Sequence, residues 1–251
     1  MNNGHAPDSN SAMPAGTVLV TGGSGASGVA VAAALHAAGF RVCTVGSDQD
    51  RIAAAAAQAG SGVTPFTADL ATYDDVVRLR ADVTASAGPV DAVIHLVGGW
   101  RGAKGLEDQT DADWDFLERG AVTTLRNVSR VFYADIARSP RGRFAMVSST
   151  AVQRPTAATA SYVAAKAAAE AWTMAMADGF KRDTAASQPA AGDPAAVVLV
   201  VKALVDADLR QKHPERTFPG ATDVNDLAAA VVRLFAEPAE ALNGTRLVLA
   251  P

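Results

Sequence analysis

The stretch "TVLVTGGSGASG", Thr17 to Gly28, joins a short β-branched run to a glycine-rich turn, and "ASGVAVAAALHAA" then continues it in helical style. A strand that passes through glycines into a helix N-terminus makes an anion site. The glycines let the backbone approach a pyrophosphate, and the helix supplies free N–H groups and the positive end of its dipole. Glycine also serves ordinary tight turns. Here a strand before, a helix after and the first place in a β-α alternation point to a dinucleotide. The candidate contacts are Thr21, Gly22, Gly23, Ser24, Ala26, Ser27 and Gly28.

The alternation continues outward from this unit. The helix from about Ser27 to Ala38 leads to the strand "RVCTVG", and a helix around Asp50 to Ala59 leads to "GVTPF". A helix from Tyr73 to Ala87 precedes "DAVIHLVGG", and a long helix from about Asp111 to Ala137 precedes "GRFAMVSS". After a Tyr162 to Phe180 helix, "KRDTAASQPAAGDP" has the composition of a surface loop. The strand "AAVVLVVKAL", a helix near Asp223 to Phe235 and the strand "TRLVLA" complete the chain. Strands linked by helical crossovers build a parallel sheet covered on both faces, so the expected fold is α/β: a single doubly wound domain over residues 17–251, with about seven strands.

Composition narrows the function. The 251 residues are 49% hydrophobic and 19% charged, with a net charge of −4 and no basic block, which argues against nucleic acid or an anionic membrane as partner. A small-molecule substrate is the better expectation. Cys43 is the single cysteine, so neither a disulfide nor a cysteine-based metal cluster is available, as suits a reducing compartment. Residues 1–16, "MNNGHAPDSNSAMPAG", read as a disordered leader without the pattern of a secretory signal. No run approaches the roughly 18 apolar residues of a membrane span. A cytoplasmic location is expected.

The end of the second strand bears on the choice of nicotinamide dinucleotide, where an acid favours NAD and a small or basic site favours NADP. Gly46 and Ser47 stand there, leaving room for a 2'-phosphate that Arg51 can approach. Asp48, two residues beyond Gly46, reads as the N-cap of the next helix. NADP is expected, with NAD as the alternative.

A second constellation lies in "VSSTAVQRPTAATASYVAAK", Val147 to Lys166. Tyr162 and Lys166 are four apart and share a helix face. A neighbouring ammonium, together with a bound cofactor's positive nicotinamide, favours the phenolate, so a lowered tyrosine pKa is expected. Ser149 ends the preceding strand, thirteen positions before Tyr162, where its hydroxyl can polarise a carbonyl. Each residue alone is commonplace: a Tyr-Lys pair is usually a solvated face.

Together, after a fifth strand and downstream of the glycine loop, they resemble the short-chain dehydrogenase/reductase family from Thr17 to Pro251. The carried motifs are TGxxxAxG at Thr21 to Gly28, an adenine-contacting acid at Asp69 beside Leu70, and the Ser149 with YxxxK set. The resemblance implies a Rossmann fold and hydride transfer to or from a small, fairly apolar molecule. Tyr162 would be acid or base, Ser149 would polarise the substrate oxygen, and Lys166 would bind the nicotinamide ribose. It implies no metal, and a homodimer or homotetramer joined through the helices starting near Asp111 and Thr159.

Several family positions differ. His95, Leu96, Val97 and Gly98 replace an Asn-Asn-Ala-Gly motif, with Gly98 keeping a close backbone approach and His95 reading as a satisfied structural histidine. Ala121 stands for a relay asparagine, which Asn127 on another helical face does not replace. Lys202 and Ala203 replace a Pro-Gly pair and Ala207 a threonine, while Val205 keeps a position whose backbone meets the nicotinamide amide. These departures leave two alternatives open: a non-redox step such as dehydration, cyclisation or epimerisation on the same fold, or a non-catalytic dinucleotide-binding regulatory protein.

Overall fold

A computed structural model of the chain describes residues 16–186 and 194–249. In chain order the first half runs β1 Thr17–Thr21, α1 Ala26–Ala37, β2 Arg41–Gly46, α2 Gln49–Ala59, β3 Thr64–Thr67, α3 Tyr73–Ala87 and β4 Ala92–His95. Next come α4 Asp111–Glu118, a π-helical turn Arg119–Thr123, α5 Thr124–Arg138, β5 Arg143–Ser149 and α6 Ala160–Ala186. The chain continues with β6 Ala195–Val201, β7 Leu204–Val205, α7 Ala207–Lys212, β8 Thr222–Asp223, α8 Val224–Arg233, α9 Ala239–Leu242 and β9 Thr245–Val248.

Seven strands form one parallel sheet in the order β3-β2-β1-β4-β5-β6-β9, and β7 pairs with β8 in a small separate sheet. Strands β1, β4 and β6 are buried along their whole length, as both-faced cover requires. Alternate residues feed opposite cores. Leu19, Val93, Phe144 and Val198 pack under α3, α5 and α6 with Leu79, Phe132 and Phe180. Val20, Ile94, Ala145 and Leu199 pack under α1 and α8 with Leu35, Leu227 and Val231. The strand order reverses between β1 and β4, which opens a crevice at their carboxyl ends.

Several expectations change in detail. The long helix is interrupted by the π turn. Helix α6 continues through Lys181–Ala186, which the sequence suggested were loop, and the expected loop's Ser187–Asp193 lie outside the described residues. Leu204 and Val205 leave the main sheet: Lys202 and Ala203 break the sixth strand, and Thr222 N–H donates to the Ala203 carbonyl at 2.9 Å. Most of the expected leader, residues 1–15, lies outside the described residues. Gly16 already belongs to the fold, its carbonyl accepting from Arg41 N–H at 2.9 Å. Among the described residues, no helix is long and apolar enough to cross a membrane.

Candidate active site

The glycine turn after β1 forms one wall of a groove of about 590 Å³. Gly22, Ser24, Ser27, Gly46, Ser47, Asp69, Leu70 and Gly98 line it together, eight residues the sequence had singled out for a dinucleotide. Gly22 adopts φ +73°, and a Cβ there would lie 3.0 Å from the Leu96 carbonyl oxygen, so both conformation and space call for glycine. Other residues of the turn lie off the groove and shape it from behind. A Cβ on Gly28 would meet the Gly22 carbonyl oxygen at 2.5 Å, and one on Gly23 would meet Thr44 Cβ at 2.8 Å. These two glycines let helix, turn and strand pack closely. Thr21 is buried, Ala26 faces a neighbouring cavity, and Val205 is buried in the small sheet.

Asp48 caps α2 as expected, accepting from Arg51 N–H at 2.9 Å, and the Arg51 side chain lines the groove. Asp69 is more heavily engaged than the sequence suggested. It accepts from Ala71 N–H at 3.0 Å and from the Thr72 hydroxyl at 3.3 Å, and pairs with Arg119 at 2.6 Å. Arg119 sits on the π turn, across the groove from Asp69. Sequence reading missed it because its partner is 50 positions away; the visible signal was a cation two residues before Ala121. Asn127 does separate work, donating to the Leu70 carbonyl at 3.1 Å.

Beyond the groove, β5 and α6 bring Ser149, Tyr162 and Lys166 together. Ser149 ends β5 and accepts from Ala151 N–H at 3.1 Å, which fixes its rotamer. It lies near enough to the Tyr162 phenol to favour the ionised form. One turn further along α6, Lys166 Nζ donates to the Val147 carbonyl at 2.9 Å. Burial pushes the Lys166 pKa down to about 8, against an opposing pull from Glu170. Burial also raises the Tyr162 pKa, and the influence of Ser149 offsets this only in part. In the protein alone, desolvation of the phenolate outweighs what favours it, and the lowering expected of the phenol includes the charge of a bound cofactor.

The departures from the family motifs form a network of their own. His95 is buried, with Nδ1 2.8 Å from the Thr21 hydroxyl and Nε2 3.2 Å from the Thr124 hydroxyl. Thr124 itself donates to the Gly120 carbonyl at 2.7 Å. Its proton is thus used, so it accepts from His95 Nε2–H, and Nδ1 accepts from Thr21. Burial first, and the Lys166 charge second, push the His95 pKa down to about 3, so the ring is neutral. It is the satisfied structural histidine the sequence suggested. Gly98 leaves space for the lysine, since a Cβ there would lie 3.2 Å from Lys166 Nζ. Ala121 is buried in the π turn among Leu117 and Ala165 and brings no polar side chain.

The loop after β4 is stitched to the segment just before Tyr162. Ala103 N–H donates to the Ala158 carbonyl at 2.9 Å, Gln109 Nε2 to the Ala157 carbonyl at 3.0 Å, and Ser161 N–H to Gln109 Oε1 at 3.2 Å. Trp100 and Leu106 stand exposed on this loop. Lys202 Nζ donates to the Pro219 carbonyl at 2.7 Å, fastening the end of the segment that contains α7. No cluster of metal-ligating side chains occurs among the described residues.

A family model described as short chain dehydrogenase matches residues 16–191. An acetoacetyl-CoA reductase of Allochromatium vinosum is 31% identical over 167 residues, covering 63% of this chain and 66% of that protein. Nodulation protein G of Rhizobium meliloti is 32% identical over 149 residues, covering 59% and 60%. The chain thus spans just under two thirds of the length of these curated relatives. Among solved structures, a putative betaketoacyl-ACP reductase superposes with a TM-score of 0.76 at 24% identity, covering 94% of this chain and 96% of that one. An NAD+-bound xylitol dehydrogenase superposes at 0.79 with 17% identity, covering 94% and 98%. At these identities the structural likeness speaks for the fold alone.

Proposed function

Because the chain belongs to the short chain dehydrogenase family, we propose that it is an oxidoreductase moving a hydride between a nicotinamide dinucleotide and a carbon that bears a carbonyl or hydroxyl. The observation that carries this reading is the meeting of Ser149, Tyr162 and Lys166 at the carboxyl ends of the strands, where α/β sheets bind ligands. The groove suits the cofactor. Gly22 holds the turn where only a glycine fits, and Gly46 and Ser47 put no acid at the end of β2, while Asp48, engaged as the α2 cap, and Arg51 line the wall. We assign NADP on that basis, with NAD as the alternative. The dinucleotide would supply the hydride.

The protein's own residues handle the oxygen. Ser149 Oγ–H donates to the substrate carbonyl, making its carbon more electrophilic. Tyr162 Oη–H gives its proton to that oxygen as the hydride arrives, and takes it back in the reverse direction. Lys166, protonated below about pH 8, stabilises the phenolate that Tyr162 becomes and would hold the nicotinamide ribose. The raised phenol pKa keeps the proton available for reduction until the substrate is in place. Trp100 and Leu106 stand exposed on the loop that is stitched to the segment before Tyr162, which suits a small, fairly apolar substrate.

The test follows nicotinamide absorbance with NADPH and NADH over a carbonyl panel that includes a 3-ketoacyl thioester, the type of compound after which the Allochromatium relative is named. Tyr162→Phe is expected to cut turnover by roughly 10²- to 10⁴-fold while leaving cofactor affinity intact. Turnover untouched by that change would overturn the mechanism. We also assign a second copy of the chain to the α5–α6 face, where Tyr73, Tyr133, Trp172 and Met176 border a hollow of about 450 Å³. Light scattering that returns a single subunit mass would refute the assembly.

A further inference from the structure

Three side chains of one helix face meet three consecutive residues of one strand. Along α6, Tyr162, Lys166 and Glu170 recur every four residues and line one stripe. Along β5 their partners are Ser149, the Val147 carbonyl and Ser148. The first two rungs belong to the chemistry proposed above. The third does not, yet it places a carboxylate where water barely reaches: Glu170 is 8% exposed.

Burying that charge is costly unless something holds it. The Ser148 hydroxyl donates to Glu170 Oε1 at 2.5 Å, and Arg246 on β9 donates through Nε to Oε2 at 2.8 Å and through Nη2 to Oε1 at 3.2 Å. Simple adhesion of α6 to the sheet needs none of this, because Ala169, Met176 and Phe180 already supply apolar contact. A charge at the third rung does what an apolar residue cannot. It faces the buried ammonium one turn earlier.

The groups around Lys166 are few. His95 approaches from β4 and is neutral; the Val147 carbonyl approaches from β5 and Gly98 from the loop after β4; Tyr162 and Glu170 share its helix. Of these, Glu170 carries the negative charge, and Arg246 partly neutralises it from the far side. Resting on the oxidoreductase reading, we propose that Glu170 is a positioning residue: it locks α6 against β5 through Ser148 and supplies the counter-charge of Lys166, with Arg246 moderating that charge. Without it, the low-lying lysine would lose its proton at lower pH, and with the proton its support of the Tyr162 phenolate.

Two substitutions test this in opposite directions on the full chain. Glu170→Gln keeps the shape and the Ser148 bond but removes the charge. Arg246→Gln keeps a donor to Glu170 but removes the moderating cation. The probe is NMR titration of side-chain-labelled lysine in the cofactor-free protein, with Lys166→Arg to assign the signal. The Lys166 midpoint is expected to fall by about one pH unit in Glu170→Gln and to rise in Arg246→Gln. The alkaline limb of the kcat profile should follow each shift. A loss of packing would not drive the two variants apart. If Glu170→Gln does not fold, Arg246→Gln carries the test alone. A Lys166 midpoint unmoved in the folded variants overturns the proposal. Opposed shifts in a protein that turns over no carbonyl would uphold Glu170's hold on Lys166 and overturn the oxidoreductase reading instead.

Discussion

Gly46 shows how much rests on a missing side chain. A Cβ at this position would meet Ser24 Oγ at 2.5 Å, so the end of β2 is tight as well as without an acid of its own. Gly46→Asp is expected to weaken both dinucleotides through that clash, and NADPH by about tenfold more than NADH through repulsion of the 2'-phosphate. Fluorescence titration reads both constants, and equal weakening would remove the case for NADP. Ser149, Tyr162 and Lys166 were legible in the sequence because their residue types and spacing are local information. Glu170 and Arg119 were not. Glu170 stands in an alanine run whose periodicity says helix but not neighbour, and its arginine is 76 positions away. The raised Tyr162 pKa escaped for a related reason: burial is a property of the fold, and no neighbouring letter reports it.

At the level of elements, the β-α alternation was legible throughout, since apolar runs and alanine-rich segments differ in period. The failures are at joints. Sequence reading merged β6 with β7 because "VVKAL" stays apolar around Lys202, and stopped α6 early because "KRDTAA" looks polar, although alanine, lysine and arginine are good helix formers. The π turn has no sequence signature of this kind. It is held by Thr124, whose hydroxyl bridges the Gly120 carbonyl and the His95 ring. Thr124→Val removes that bridge and strands a buried N–H, so a loss of about 1–3 kcal/mol is expected in urea unfolding. Unchanged stability would show the bridge to be dispensable.

Over the whole molecule, the buried ring and ammonium make stability depend on pH with one sign. The His95 pKa is about 3 in the fold against an ordinary 6.5. Between those values the unfolded chain binds a proton that the folded chain refuses, so stability falls as pH drops through the window, by up to about 1.4 kcal/mol per pH unit. Lys166 sits at about 8 against 10.5, and there stability climbs as pH rises through that window, because the unfolded chain again holds the extra proton. Denaturant unfolding from about pH 4 to 7 should show the acid loss, and His95→Gln should flatten it. An equally steep loss in that variant would place the cause elsewhere. The doubly wound parallel architecture followed from the β-α alternation, whereas the strand order and its reversal between β1 and β4 come from the structure. The π turn has a molecular consequence as well. Counted along the helix, Arg119–Thr123 holds one residue more than an α-helical turn has room for. Deleting Gly120 would hand the surplus back and let α4 and α5 run on as one regular α-helix whose two ends keep their facing. The change would fall on Arg119 and Thr124, which line the groove, while every strand kept its register, so a single deleted codon would reshape one wall of the groove and leave the sheet intact.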